Sequence, residues 1–222
     1  MVAHELRTPL TAVGGWAAAL RNERLDPGQR AHALHAIERN VALQARIIED
    51  IVDLARIAHG TLSLRLGAVD LHDVVVAAVE ATTTVADARG VSLDLEATST
   101  CPRLWADAAR LRQAVDNLVV NAIKHSPPGG AVRVRLEATA GEAWIEVSDE
   151  GCGIAPELLP HVFERYRQGE GARSGLGLGL AIVREVVQLH HGRVDASSPG
   201  VGRGARFTIV LPAGAAAAAR HR

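Results

Sequence analysis

Near the start of the chain apolar residues fall at Ala3, Leu6, Leu10, Val13, Ala17 and Leu20, alternating by threes and fours. That spacing predicts a helix from Val2 to about Asn22 with one narrow apolar seam. Asp26, Pro27 and Gly28 interrupt it. A second helical pattern runs from Gln29 to about His59, with Leu34, Ile37, Val41, Ile48, Ile51 and Ala55 on heptad positions. At the usual rise per residue it is a rod of roughly 45 Å. The shorter first helix cannot cover that stripe alone, so the expected solution is a helical hairpin that pairs with a second copy into a four-helix bundle.

Gly60 and the alternation Thr61-Leu62-Ser63-Leu64-Arg65-Leu66 change the period from helical to strand-like, and a second domain is expected to begin there. The pattern then predicts a strand near Ser63–Leu66, a helix over Leu71–Ala88, a strand over Val91–Glu96 and a short strand near Leu104. A helix over Asp107–His125 and strands over Val132–Ala138 and Ala143–Ser148 follow. Beyond Asp149 come a glycine loop, a short helix near Pro156–Arg165, a polar glycine-rich stretch and a helix over Leu178–His190. Strands at Arg193–Ala196 and Arg206–Leu211 complete the order. Helices mixed with antiparallel strands in this way imply an α/β sandwich with the helices on one sheet face. The stretch after Pro212 is alanine-rich and reads as a frayed tail.

With 222 residues, 48% hydrophobic and 22% charged, the chain can build a sizeable core. A net charge of −1 gives no basic field for nucleic acid or anionic membrane, and 3% aromatics leave little for stacking bases. No apolar run approaches the ~20 residues of a membrane span. The first residues carry no signal-peptide pattern, so the chain as given is expected to be soluble. Cys101 and Cys152 are far apart and lack metal-ligand spacing, which fits a reducing cytoplasm.

His4 and Thr8 share a helix face, off the apolar seam, and Glu5 adjoins His4. An exposed neutral imidazole is a competent nucleophile, and the carboxylate beside it can orient the ring or take its proton. Pro9 removes the N–H that would reach the carbonyl of Glu5, which predicts a kink near His4. The same residues also read as a plain surface histidine beside a surface glutamate. A zinc-protease motif would need a second histidine where Thr8 stands.

The predicted helix Asp107–His125 sends Leu111, Val115, Leu118, Val119 and Ala122 to a core and carries Asn117, Asn121 and Lys124 on another stripe. Two carboxamides a turn apart can give oxygen ligands to hydrated magnesium, and the lysine a cation to phosphates; a solvated polar face looks the same. A strand delivers Asp149 into Gly151 and Gly153, where a carboxylate can accept from an exocyclic amine and bare backbone can pass a flat ring. Gly175, Gly177 and Gly179 open an apolar helix whose N-terminal N–H groups suit phosphate. No Gly-Lys-Ser or Gly-Lys-Thr occurs, which excludes a P-loop, and Leu180 stands where a dinucleotide fingerprint needs its third glycine. The polar stretch before those glycines reads as a mobile lid on which Arg167 and Arg173 can reach a triphosphate, or as a long solvated loop.

Taken in order, these segments closely resemble the catalytic core of a sensor histidine kinase of a two-component system. His4-Glu5-Leu6-Arg7-Thr8-Pro9-Leu10 resembles the family's histidine box, and Asn117 to Lys124 its asparagine box. Asp149 to Gly153 is similar to the first glycine box, Phe163-Glu164-Arg165 to the phenylalanine box, and Gly175 to Leu180 to the second glycine box. The resemblance implies a dimerisation and histidine-phosphotransfer hairpin over residues 1–60, a Bergerat-type ATP-binding domain over 61–212 and a flexible tail over 213–222. It further implies ATP and magnesium as ligands, with Asp149 holding the adenine amine and Asn117 and Asn121 serving the metal. Lys124, His125, Gly151, Gly153, Arg173, Gly175, Gly177, Leu178 and Gly179 would complete the nucleotide site.

On the same resemblance, His4 receives the γ-phosphoryl group, Glu5 is its acid–base partner and Thr8 positions water for dephosphorylating a regulator. The implied partners are a second copy of the chain and a response-regulator receiver domain, with no nucleic acid and no membrane segment in this chain. A longer parent could be membrane-anchored. His125 stands where an aromatic such as tyrosine is common. Only three residues precede His4, which is expected to fray the bundle there, and with no sensor, transmembrane or linker domain in the sequence a truncated product or an excised core is expected. Two other classes remain open to test: an ATPase or serine kinase on the same nucleotide fold, and a non-catalytic phosphatase or binding scaffold. Asn117, standing where a hydrolytic carboxylate would sit, favours transfer over hydrolysis.

Overall fold

A computed structural model describes residues 2–21, 25–97, 103–139, 141–167 and 176–213, the side chains of Val2 and His4 excepted. The described residues fall into two compact units. One holds those up to Leu62 together with Leu176–Leu178, and the other holds the rest.

In the first unit α1 spans Val2–Leu20 and α2 spans Pro27–Ala58. The break expected at Asp26, Pro27 and Gly28 is itself the start of α2. Asp26 accepts from the N–H of Gln29 while the Gln29 side chain accepts from the N–H of Asp26, and Pro27 occupies the first turn, where its missing N–H costs nothing. Helix α1 runs through Pro9 without ending, and Thr11 donates its hydroxyl to the carbonyl of Arg7 at 2.9 Å. Ala33, Ala36 and Ile47 are buried along α2, and Trp16 meets His32 edge-on at 5.3 Å. Leu34, Val41 and Ile48 of the heptad stripe are exposed in the single chain, as is Leu10 on α1. That part of the stripe faces outward, while Ala33, Ala36, Ile47, Leu54 and Ile57 of α2 are buried.

The second unit is a two-layer α/β sandwich. Its described elements are β1 (Gly67–Val69), α3 (Leu71–Asp87), β2 (Ser92–Ala97), β3 (Leu104–Ala106), α4 (Ala108–His125), β4 (Ala131–Ala138), β5 (Glu142–Asp149), α5 (Gly179–Leu189), β6 (Arg193–Ser197) and β7 (Ala205–Pro212). β1 pairs with β3, and the main sheet has the order β2-β4-β5-β7-β6. Only its β2–β4 pairing is parallel among the described strands. Val132, Val134 and Leu136 of β4, Ala143, Ile145 and Val147 of β5, and Phe207, Ile209 and Leu211 of β7 are buried. The alternate positions carry ion pairs such as Arg135 with Glu96 and Arg193 with Glu142, so one sheet face is apolar and the other charged. α4 buries Leu111, Val115, Leu118, Val119 and Ala122, and α5 buries Ile182, Val183, Val186 and Val187.

Two predicted elements differ. Residues 61–66 alternate in burial but make no ladder, because the N–H of Arg65 donates to the Asp107 carboxylate at 2.7 Å instead of to a strand; the strand begins at Gly67. The helix expected near Pro156–Arg165 is a single 3-10 turn, Leu159–His161, with Pro160 inside it. No helix among the described residues is long and apolar enough to cross a membrane.

Candidate functional site

The site in the second unit is organised along α4. Asp107 caps its start, accepting from the N–H of Arg110 at 3.1 Å. Buried apolar residues fix the roll of the helix. This leaves Asn117 7% exposed and Asn121, Lys124 and His125 half-buried toward its end. The Asn117 side-chain nitrogen donates to the carbonyl of Gly179, the first residue of α5, at 3.4 Å. That bond uses the amide nitrogen, which cannot ligate a metal, and not the oxygen, which can.

The far end of α4 meets the loop after β5. The carbonyl of His125 accepts from the N–H of Cys152 at 3.2 Å, and the Cys152 sulfur lies 3.6 Å from His125 Nδ1. Burial, then the cations Lys124 and Arg89, hold the His125 imidazole below its ordinary pKa and favour the neutral ring. Arg89 also donates to the carbonyl of Lys124 at 3.0 Å.

Asp149 ends β5, its Oδ1 accepting from the N–H of Gly151 at 2.9 Å. Burial pushes its carboxyl up, and hydrogen bonds from the backbone of Gly151 and Ala205 partly offset that. The glycines here are required by close approach. A Cβ on Gly151 would overlap the carbonyl of His125, and one on Gly153 the carbonyl of Gly200. Gly177, with φ at +66°, adopts a backbone that side chains resist. Gly179 differs: a Cβ there would sit 3.5 Å from the Asn117 carboxamide carbon, in ordinary contact. Its bareness leaves the carboxamide approachable from the start of α5.

Asn117 and Gly179 are thus brought together, as are His125, Asp149 and Gly151 through the loop. Leu178 is buried. Arg173 and Gly175 lie outside the described residues. In the first unit Glu5 and Thr8 stand on α1, Glu5 half-buried and Thr8 exposed; His4 belongs to the same helix, its side chain outside the description. Phe163 packs edge-on against Phe207 at 6.2 Å, and Glu164 holds Arg167 at 2.8 Å and His161 at 2.7 Å. Both bonds keep the Glu164 carboxyl below the usual range.

Sequence reasoning missed Ser198, whose hydroxyl accepts from the N–H of Ile154 at 3.0 Å and donates to the carbonyl of Gly204 at 2.7 Å, bracing the Asp149 loop against the turn between β6 and β7. It also missed the node of Asp107 and His190. Ser198 follows β6 in a Ser-Pro-Gly turn, a signal of backbone bonding that spacing alone does not aim at any loop.

The donor set suits a magnesium–nucleotide. Carboxamide oxygens are hard neutral ligands, the N–H groups opening α5 favour phosphate, and a partly buried carboxyl at a strand end can take an amine hydrogen.

Residues 1–60 match the His Kinase A (phospho-acceptor) domain. Residues 106–215 match the histidine kinase-, DNA gyrase B- and HSP90-like ATPase family. The chain is 34% identical over 212 residues to the alginate biosynthesis sensor protein KinB of Pseudomonas aeruginosa, covering 94% of this chain and 35% of that one. It therefore spans about a third of that relative. Among solved structures, full-length ShkA in complex with AMPPNP has a TM-score of 0.72 at 31% identity, covering 96% of this chain and 45% of that chain. The mycobacterial sensor histidine kinase MprB has a TM-score of 0.61 at 35% identity, covering 67% of this chain and 99% of that chain.

Proposed function

The chain belongs to the histidine kinase family, and from that premise we propose that it is an ATP-dependent protein-histidine kinase that phosphorylates itself on His4 and serves a two-component system. The observation that carries the reading is the pair of bonds at the two ends of the α4 polar stripe. Asn117 reaches Gly179, and the carbonyl of His125 holds the Asp149 loop, so three separate motifs face one region.

Residues 1–60 act as the dimerisation and phosphotransfer hairpin, residues 61–212 bind ATP and residues 213–222 are a tail. Asp149 accepts a hydrogen bond from the adenine amine. Gly151 and Gly153 let backbone approach the ring, with His125 beside them. Gly177, Leu178 and Gly179 present N–H groups to the phosphates, joined by Lys124, Arg173 and Gly175. Asn117 and Asn121 hold magnesium, which when bound neutralises phosphate charge. In the transfer a bond forms between an imidazole nitrogen of His4 and the γ-phosphorus. The bond from that phosphorus to the bridging oxygen breaks, ADP leaves, and the ring proton passes to Glu5. Alignment and charge neutralisation are most of what this reaction asks of a protein. The phosphoryl group then passes to an aspartate of a receiver domain, and Thr8 positions water for the reverse duty of removing it.

The test is labelling with γ-labelled ATP. The reading expects an acid-labile, alkali-stable phosphoprotein, lost in His4→Gln and in Asp149→Ala. Undiminished labelling of His4→Gln overturns it, and brisk steady-state hydrolysis without a phosphoprotein favours an ATPase on the same fold. A scaffold or phosphatase role predicts regulator dephosphorylation that depends on Thr8 and survives Asp149→Ala.

A further inference from the structure

One buried polar side chain has no part in the chemistry described so far. His190, 3% exposed, follows the last turn of α5. Its Nδ1 lies 2.7 Å from the carbonyl oxygen of Val186, and since a carbonyl only accepts, Nδ1 carries the proton. Nε2 is then an acceptor, and it receives the backbone N–H of Asp107 at 2.9 Å. The ring is held neutral in a single tautomer. Asp107 is itself a junction, capping α4 through one carboxylate oxygen and receiving the N–H of Arg65 on the other. His190 therefore ties the end of α5 to the start of α4.

The same two helices are joined again at Asn117 and Gly179. From Asp107 to Asn117 is ten residues and from Gly179 to His190 eleven, so the two spans are about 15 and 16 Å at helical rise. The helices run antiparallel, with matched lengths pinned at both ends. Sliding α5 by one residue would move its N-terminus by about 1.5 Å against the carboxamides.

We propose that His190 is a positioning residue. It fixes the register of α5 against α4, and through it the placement of the phosphate-facing start of α5 relative to Asn117 and Asn121. The inference rests on the nucleotide reading above. It separates two halves of that site: the adenine end, built on Asp149 and its loop, does not depend on the α5 register, whereas the phosphate–metal end does.

The experiment is calorimetric binding of ADP to the full chain, once with EDTA and once with magnesium, for wild type, His190→Leu and His190→Gln. In His190→Leu the gain in affinity from magnesium is expected to shrink about tenfold, while metal-free ADP binding stays within about twofold. His190→Gln, whose amide offers both an acceptor and a donor, is expected to restore part of the gain. A nitrogen-detected imidazole spectrum of the wild type is expected to show His190 as the fixed Nδ1–H tautomer. A merely structural residue would weaken both affinities by one common factor in step with a lower melting temperature, and that result overturns the proposal. So does an unchanged magnesium gain in His190→Leu when the wild type binds normally. A wild type that binds no ADP under either condition overturns the nucleotide reading and the proposal with it.

Discussion

The backbone N–H of Cys152 donates to the carbonyl oxygen of His125 at 3.2 Å, closing the end of α4 onto the loop that follows β5. That closure leaves no room for a side chain at Gly151, whose Cβ would overlap the same carbonyl and lie 2.7 Å from an Asp149 oxygen. Gly151→Ala is expected to force loop and helix apart, at a cost of about 1–3 kcal/mol in stability, with loss of ADP binding. Gly179→Ala is expected to do the opposite to the fold. Its Cβ makes ordinary contact, and replacing a glycine at a helix's first residue, outside the interior where the glycine penalty is full, gains at most about a few tenths of a kcal/mol. Yet the methyl narrows the approach to Asn117, so ADP binding in magnesium should weaken in a protein that melts no lower. Thermal melting and calorimetry on the two variants check both expectations; a Gly179→Ala protein with undiminished affinity would remove the space beside Asn117 from the site.

Much of this site was legible because it is local. The stripe of Leu111, Val115, Leu118, Val119 and Ala122 names the buried face of α4, and with it the rotation that leaves Asn117, Asn121 and Lys124 together on another. Strand alternation likewise placed β4 and β5 to within a residue of their observed bounds. What escaped depends on partners distant in sequence. Nothing near β7 says that it inserts between β5 and β6, and nothing near β2 says that it pairs parallel to β4. Residues 61–66 show why alternation misleads at an edge. Leu62 is buried and Leu64 and Leu66 half-buried between exposed neighbours, the alternation of a strand, but a carboxylate takes the backbone donor a ladder would need. The tie of His190 to Asp107 joins residues 83 apart, through a ring whose role no spacing rule encodes.

Asp50 makes the hairpin lose stability as pH rises towards neutral. Burial raises its carboxyl to about 6 from 3.8; Arg46 opposes the rise, and Asp53 and Glu49 add to it. Between those two pH values the folded chain keeps a proton that the unfolded chain has released. This group's stabilisation is therefore complete below the unfolded value and is lost as pH rises through about 6, a change of about 3 kcal/mol. Asp50→Asn keeps the shape without the charge. The variant is expected to melt above wild type at about pH 7 and level with it at about pH 4, and equal melting curves at the higher pH would remove the buried charge from the account.

Gly14 and Gly15 lie inside α1, both exposed, and a Cβ on either meets nothing within 4 Å. Packing does not require them, so their effect is on the backbone: together with Pro9 they make α1 intrinsically weak. Gly14→Ala and Gly15→Ala are each expected to stabilise the hairpin by about 1 kcal/mol. Hydrogen exchange along α1 reads this out. Slower exchange from Arg7 to Leu20 in the double variant is the expected result, and unchanged protection would mean that α1 is already held rigid by its neighbours.

Leu34, Val41 and Ile48 recur every seventh residue along α2 and are 52%, 52% and 49% exposed. Leu10 on α1 is 58% exposed, with Ala3 and Ala17 a heptad to either side, exposed as well. A heptad stripe that the hairpin does not bury is the seam of a coiled-coil-like bundle, and the proposed homodimer supplies the second copy that covers it. Val41→Glu with Ile48→Glu puts charges into that seam without touching Ala33, Ala36 or Ile47, which close the hairpin itself. The double variant should keep its helix content yet self-associate about a hundredfold more weakly, because each dimer would have to bury unpaired carboxylates. Sedimentation of wild type and variant over a concentration series decides it. A wild type that stays monomeric throughout, or a variant that sediments as the wild type does, would show that this stripe is covered by something other than a second copy.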